Sequence, residues 1–248
     1  GKAYTGDFAF NEEPIGNLYL LALLDTLGKI GFTGGIFQDS LTQPSNEMIQ
    51  KSYRNIEQEH NLIAKLNGDF KIDQKSFTIK TAFDSLNAGF LSPFLSGFSD
   101  HIKGKASGDL AIYINPTKSY FDGTVHVIDA DMGIAPIGTT YFVKDQDIFF
   151  NEDGIVFKQM KILDSEQNTA YMSGIIRHKM FKDMTIDLDI HTDRIMALNT
   201  PKSVNSVFYG KGYASGDIDI VGNSDKLSFI GPNLSTLDGT HITLQVRV

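Results

Sequence analysis

One phrase occurs twice in this chain, and it limits the possible folds more than any other feature. Ala106-Ser107-Gly108-Asp109-Leu110-Ala111-Ile112 is followed by Asp122-Gly123-Thr124-Val125-His126-Val127. Ala214-Ser215-Gly216-Asp217-Ile218-Asp219-Ile220 is followed by Asp238-Gly239-Thr240-His241-Ile242-Thr243-Leu244. Gly68-Asp69-Phe70-Lys71-Ile72 is a fainter copy of the opening. In both full copies apolar residues take alternate positions: Leu110, Ile112 and Ile114, then Val125 and Val127; Ile218 and Ile220, then Ile242, Leu244 and Val246. Successive side chains of an extended chain point to opposite faces, so this alternation describes strands with one apolar and one wet face. Asp238-Gly239 marks a turn ahead of the last strand. The chain reads as a repeated sheet module.

The remainder of the second half agrees. Met184, Ile186, Leu188 and Ile190 face one way, and Thr185, Asp187, Asp189 and His191 the other. Residues 141–143, 148–150, 155–157 and 160–163 read as short strands, with turn signals at Asp145-Gln146-Asp147 and Glu152-Asp153-Gly154. Strands at intervals of roughly 8 to 15 residues, without long helices between them, exclude a parallel sheet with helical crossovers. Residues 66–248 are therefore expected to form one mainly β, antiparallel-rich module. Gly210, Gly212, Ala214 and Gly216 fall on the same face as Ile218 and Ile220, where small residues permit sharp curvature or leave room.

Residues 1–65 are harder to read. The apolar stretch 18–27 fits either a buried strand pair or a short helix. Gly28, Gly31, Gly34 and Gly35 favour short extended segments, and they lack the lysine and following helix of a phosphate-binding loop. Ile49, Tyr53, Ile56 and Ile63 recur at helical spacing behind Ser45, which predicts an amphipathic helix over 45–63. Phe70-Lys71-Ile72 and residues 77–83 read as a hairpin. Leu86, Phe90, Leu91, Phe94, Leu95 and Phe98 then form an aromatic face at helical spacing, broken at Pro93 into two short turns. That face could be a lid over an apolar site, or more plainly a plug at one end of a sheet core.

Composition narrows the function. Hydrophobic content of 41% with 21% charged residues describes a folded chain, and a net charge of −8 argues against nucleic acid as a partner. No Lys/Arg cluster points to an anionic membrane surface. Without cysteine there is no disulfide, thiolate metal site or cysteine nucleophile. The apolar run 18–24 is far shorter than the roughly 20 residues of a membrane-spanning helix. The start at Gly1-Lys2, without methionine, reads as a piece cut from a longer protein.

Candidate chemistry is sparse. Asp187, Asp189, His191 and Asp193 share one strand face, where alternate positions about 7 Å apart could hold a divalent cation. The plainer reading is a solvated outer face whose charges oppose aggregation, and it is the one expected, because strand sites usually recruit ligands from neighbouring strands. Asp129 and Asp131 repeat the pattern on a smaller scale. No carboxylate pair, serine–histidine set or metal helix stands out, so neither catalysis nor a cofactor is expected.

The order of the phrases resembles the C-terminal part of TamB, within the AsmA-like group of bridge-like lipid-transfer proteins, in the style of Bacteroidetes-type versions. The resemblance is carried by Phe121-Asp122-Gly123-Thr124-Val125, Asp147-Ile148-Phe149-Phe150, Gly154-Ile155-Val156-Phe157, Ala170-Tyr171-Met172-Ser173-Gly174-Ile175-Ile176, Phe208-Tyr209-Gly210-Lys211-Gly212 and Asp238-Gly239-Thr240-His241-Ile242. It covers about residues 66–246, and the ending Val246-Arg247-Val248 departs from the proline-containing exit the family often shows. The resemblance implies a long sheet curled into a trough. Its apolar inner face would carry acyl chains of phospholipid across the periplasm, between an inner-membrane anchor outside this chain and an outer-membrane barrel of the TamA type. On this reading Leu110, Ile112, Ile114, Val125, Val127, Met184, Ile186, Leu188, Ile190, Ile218, Ile220, Ile242, Leu244 and Val246 line the lipid groove. The alternatives are a chaperone-like scaffold whose edges pair with outer-membrane protein strands, and a β-helical enzyme acting on polysaccharide, for which no cleft signature is found.

Overall fold

The computed structural model describes residues 2–10, 13–26, 28–37, 62–91, 99–179, 182–223 and 226–245. The alternating segments form one sheet of fifteen strands. These are β1 (Lys2–Phe10), β2 (Glu13–Leu24), β3 (Lys29–Phe37), β4 (Leu62–Lys71), β5 (Ser76–Asn87), β6 (Ser99–Ile114), β7 (Ser119–Ile134), β8 (Thr139–Asn151), β9 (Gly154–Leu163), β10 (Thr169–Lys179), β11 (Lys182–Thr200), β12 (Phe208–Asn223), β13 (Leu227–Ile230), β14 (Ser235–Thr236) and β15 (His241–Leu244). Neighbours in sequence are neighbours in the sheet from β1 to β13, and β13, β14 and β15 share the far edge of β12. Among the described residues the path does not close into a barrel. The chain forms the mainly β, antiparallel-rich sheet expected from the alternation, curled as the resemblance implies.

Local chemistry sets the hairpins. The Asn115 side chain accepts hydrogen bonds from the Thr117 and Lys118 amides, and Asn151 accepts from Asp153 and Gly154, so each asparagine folds its own turn. The Phe70/Phe77 hairpin and the turn at Glu152-Asp153-Gly154 follow the sequence reading. The 18–24 run is strand, within β2.

Other expectations are corrected. Asp145-Gln146-Asp147 is no turn: β8 runs through it, held by β7 through His126–Asp147 and Val127–Gln146. Residues 155–157 and 160–163 likewise belong to the single strand β9. Leu86 does not sit on a helical face; it pairs with Ala106 inside β5, and only Ala88–Leu91 forms a short 3₁₀ turn. The helix expected over 45–63 and residues 92–98 of the aromatic segment lie almost wholly outside the described residues. The repeated Asp-Gly-Thr also takes two shapes. Gly123 lies in mid-strand opposite Leu110, whereas Gly239 sits in a turn that Thr240 closes onto Leu237.

Register threads one row across the sheet. Leu18 pairs with Ile36, Ile36 with Ala64, Ala64 with Phe83, Phe83 with Gly108, Gly108 with Val125, and Val125 with Ile148. From Phe157 it continues to Gly174, Leu188, Ile220 and Phe229. Every member is apolar or glycine. A one-residue slip in any ladder would throw its strand's apolar set to the wet side, so the row fixes the register.

A recurring device bends this sheet. Ser107, Ser173 and Ser215 each precede a glycine, and each stands opposite two residues of the preceding strand: Asp84 and Ser85, Lys158 and Gln159, Asp193 and Arg194. These are β-bulges, which kink a strand and raise its twist. In the first two, the serine hydroxyl receives the amide of the bulged residue, Ser85 at 2.9 Å and Gln159 at 3.0 Å. The glycine that follows is equally specific. Gly174 has φ +130°, and a Cβ there would stand 2.2 Å from the Asp187 carbonyl oxygen. Only glycine lets the neighbouring strand come so close.

Candidate functional site

The face bearing the row is the inner one, and it carries two clusters. The first joins Ile36, Ala64, Phe83 and Ala106 with Leu18, Leu66, Leu110 and Val125. The second joins Met160, Ile162, Ala170 and Ile195 with Tyr141, Val143, Ile148, Phe157, Met172 and Ile190. Because β8 and β11 both contribute to the second cluster, the sheet curls far enough there for strands three apart to face one another across the trough. The Tyr141 hydroxyl donates to the Met196 carbonyl at 2.9 Å, and the Gly138 Cα lies so near Asn199 that a Cβ would stand 2.4 Å from its oxygen. Burial, with the charge of Asp164 nearby, raises the Tyr141 pKa and keeps the phenol a donor. Asp164 is fully buried and accepts from the Glu166, Asn168 and Met196 amides and from the Asn168 side chain.

The predicted groove residues divide by depth. Val127, Ile186 and Leu188 are buried; Leu110, Ile112, Ile114, Val125, Met184, Ile190, Ile218 and Ile220 are half-buried. Ile242 and Leu244 are 52% and 66% exposed, and Val246 lies outside the described residues. Register puts Ile242 and Leu244 opposite Gly210 and Phe208, with Ile242 reaching over Gly212, so both occupy the inner face at its last edge. Phe229, beside Ile220, is 63% exposed on the same face. An apolar side chain of this size left in water forgoes roughly 2 kcal/mol that burial would supply. The inner face is thus filled by its own side chains around β8 to β11 and open along β12, β13 and β15.

Alternation within single strands did not single out Phe229, Phe157, Phe83 or Ile36. For Phe157, Phe83 and Ile36 the signal was an apolar residue facing a glycine or alanine in the next strand, and for Phe229 its place opposite Ile220, and both require register.

The outer face is polar and paired. Asp187 lies 3.6 Å from Arg177, Asp131 3.0 Å from His101 and Asp129 3.9 Å from Lys144. His191 meets Asp217 at 2.7 Å, and Asp189 stands opposite Asp219. Asp193 lines a shallow concavity of about 240 Å³ with Tyr171, His191 and Arg194. Among the described residues no three acidic or histidine side chains gather as a metal site.

Comparison with known proteins adds one likeness. No curated protein and no solved structure matches the chain. Residues 158–244 match the family model of the TamB C-terminal domain. The matched stretch holds Gly174, Leu188, Ile220 and Phe229 of the row, the Ser173-Gly174 and Ser215-Gly216 bends and the open edge at Ile242, and over it the chain is similar to the TamB C-terminal domain.

Proposed function

We propose that the chain is a periplasmic lipid-conducting module, in which acyl chains lie along the inner face of the curled sheet while the paired charges of the outer face stay in water. The carrying observation is the row from Leu18 to Phe229, apolar or glycine at every position and exposed at its last edge. β12 has 16 residues, which extend about 50 Å, against roughly 15 Å of hydrocarbon in one bilayer leaflet. That strand alone underlies more than one acyl chain's length. The ligand lies beside the filled cluster, against Ile218, Ile220, Phe229, Ile242 and Leu244. Nothing in this reading requires bond chemistry, and the chain acts as a carrier surface, not an enzyme. In the full-length protein an inner-membrane anchor would hold it in the periplasm.

A second reading rests on the edges. β1 and the β13–β15 side have no strand beyond them among the described residues, and such edges can add a strand from an outer-membrane protein or barrel. Native mass spectrometry after incubation with phosphatidylethanolamine vesicles separates the two. Lipid adducts on the intact chain support the carrier reading. A clean unliganded spectrum, with cross-linking of β1 or β15 to added outer-membrane protein strands, supports the edge reading and rejects the first.

A further inference from the structure

The ladder between β8 and β9 is interrupted. Phe142 pairs with Leu163, and pairing resumes only at Phe149 with Val156, so residues 143–148 and 157–162 run side by side without a ladder pair. Both strands remain paired on their other sides, β8 to β7 through Val125–Ile148 and Ala130–Val143, β9 to β10 through Met160–Met172 and Ile162–Ala170. Two non-glycine residues within the gap adopt left-handed backbone, Asp145 at φ 54° and Gln159 at φ 51°. One side chain bridges the gap: Gln146 Oε1 accepts from the Lys161 amide at 3.2 Å, while the Gln159 amide is turned away to Ser173 on β10. At one end of this seam Tyr141, next to Phe142 in β8, reaches across the trough and donates its hydroxyl to the Met196 carbonyl in β11.

We infer that the β8–β9 seam is a hinge and the Tyr141–Met196 contact its latch, so that the tightly curled part of the sheet opens to bare the cluster around Ala170. A seam tied by backbone pairs only at its two ends, with one side-chain bond between them, can flex about its own axis, which a continuous ladder resists. The Tyr141–Met196 hydrogen bond, beside the close approach of Gly138 to Asn199, closes the far side, and the apolar cluster lies between hinge and latch. This rests on the lipid-conducting reading for its purpose, since opening would admit an acyl chain to the filled section; the opening itself is independent of that reading.

The chain has no cysteine, so single introduced thiols report local opening. Ala170 in the seam cluster is fully buried, whereas Ala106 in the other cluster is 8% exposed. Static burial therefore predicts that Ala106→Cys reacts faster with a maleimide. The hinge predicts the reverse order in lipid-free buffer, with Ala170→Cys faster by roughly tenfold, and a further increase when Tyr141→Phe is added, leaving Ala106→Cys unchanged. Ala170→Cys reacting no faster than Ala106→Cys, or indifferent to Tyr141→Phe, overturns the hinge. If Ala170→Cys does not fold, hydrogen exchange of the cysteine-free chain decides: Tyr141→Phe must accelerate peptides covering 139–143 and 195–200 but not those of β4–β7, and unchanged exchange overturns the inference. Because lipid is absent throughout, failure of lipid to bind in the mass-spectrometric experiment does not alter either result.

Discussion

Asp164 holds Met196 from behind while Tyr141 holds it from across the trough. The Asp164 carboxylate accepts the Met196 amide at 2.7 Å, and the Met196 carbonyl accepts the Tyr141 hydroxyl at 2.9 Å. The backbone of one residue of β11 thus joins the loop after β9 to the opposite wall in β8.

Asp164→Ala removes an acceptor used by four donors in a site with no exposure to water. Stranding those groups should cost on the order of 3 kcal/mol or more, read as a lower urea midpoint at unchanged slope. A loss under about 1 kcal/mol would mean that water replaces the carboxylate.

Glycine substitutions should divide by position. Gly174→Ala places a methyl 2.2 Å from the Asp187 carbonyl in a backbone conformation closed to alanine, and should destabilise by at least about 2 kcal/mol. Gly31→Ala meets nothing within 4 Å and should be neutral or slightly stabilising. Equal melting temperatures for the two variants would contradict the close approach of β10 and β11.

Charge insertion should separate the filled section from the open edge. Leu188 is 8% exposed between Gly174 and Ile220, so Leu188→Asp buries an unpaired carboxylate and should cost several kcal/mol. Ile242→Asp lies in water and should leave the melt within about 0.5 kcal/mol of the parent while lowering phospholipid uptake. A folded Ile242→Asp chain that takes up lipid normally would move the binding surface elsewhere.

Two histidines should titrate in opposite directions. The hydrogen bond to Asp217 raises the His191 pKa, and the Asp217 carboxyl is lowered in turn, chiefly by His191. Burial lowers that of His178. The His191 contribution to stability is complete below the unfolded histidine midpoint and is lost as pH rises through the folded one. That of Asp217 is present above the unfolded carboxylate midpoint and is lost on acidification. His178, neutral in the folded state, destabilises as pH falls below the unfolded midpoint. NMR titration of the imidazole protons checks this, and Asp217→Asn should return His191 alone toward its ordinary value.

The sequence by itself determined the strands and their two faces. Alternation at Met184–His191, or at Leu110 and Ile112 against Asp109 and Ala111, is a local property of extended chain and needs no partner to be read. The same local rules misplaced Asp145-Gln146-Asp147 as a turn and Leu86 on a helix, because pairing with β7 and β6 overrides turn and helix preferences. Only the tertiary structure decided which inner residues are filled in and which stay open. Leu188 and Leu244 obey the same alternation, yet one is buried between Gly174 and Ile220 and the other lies on an edge with water beyond it. Register, bulges and curl set that difference, and each depends on strands distant in the chain, so a pattern of period two within a single strand does not contain it.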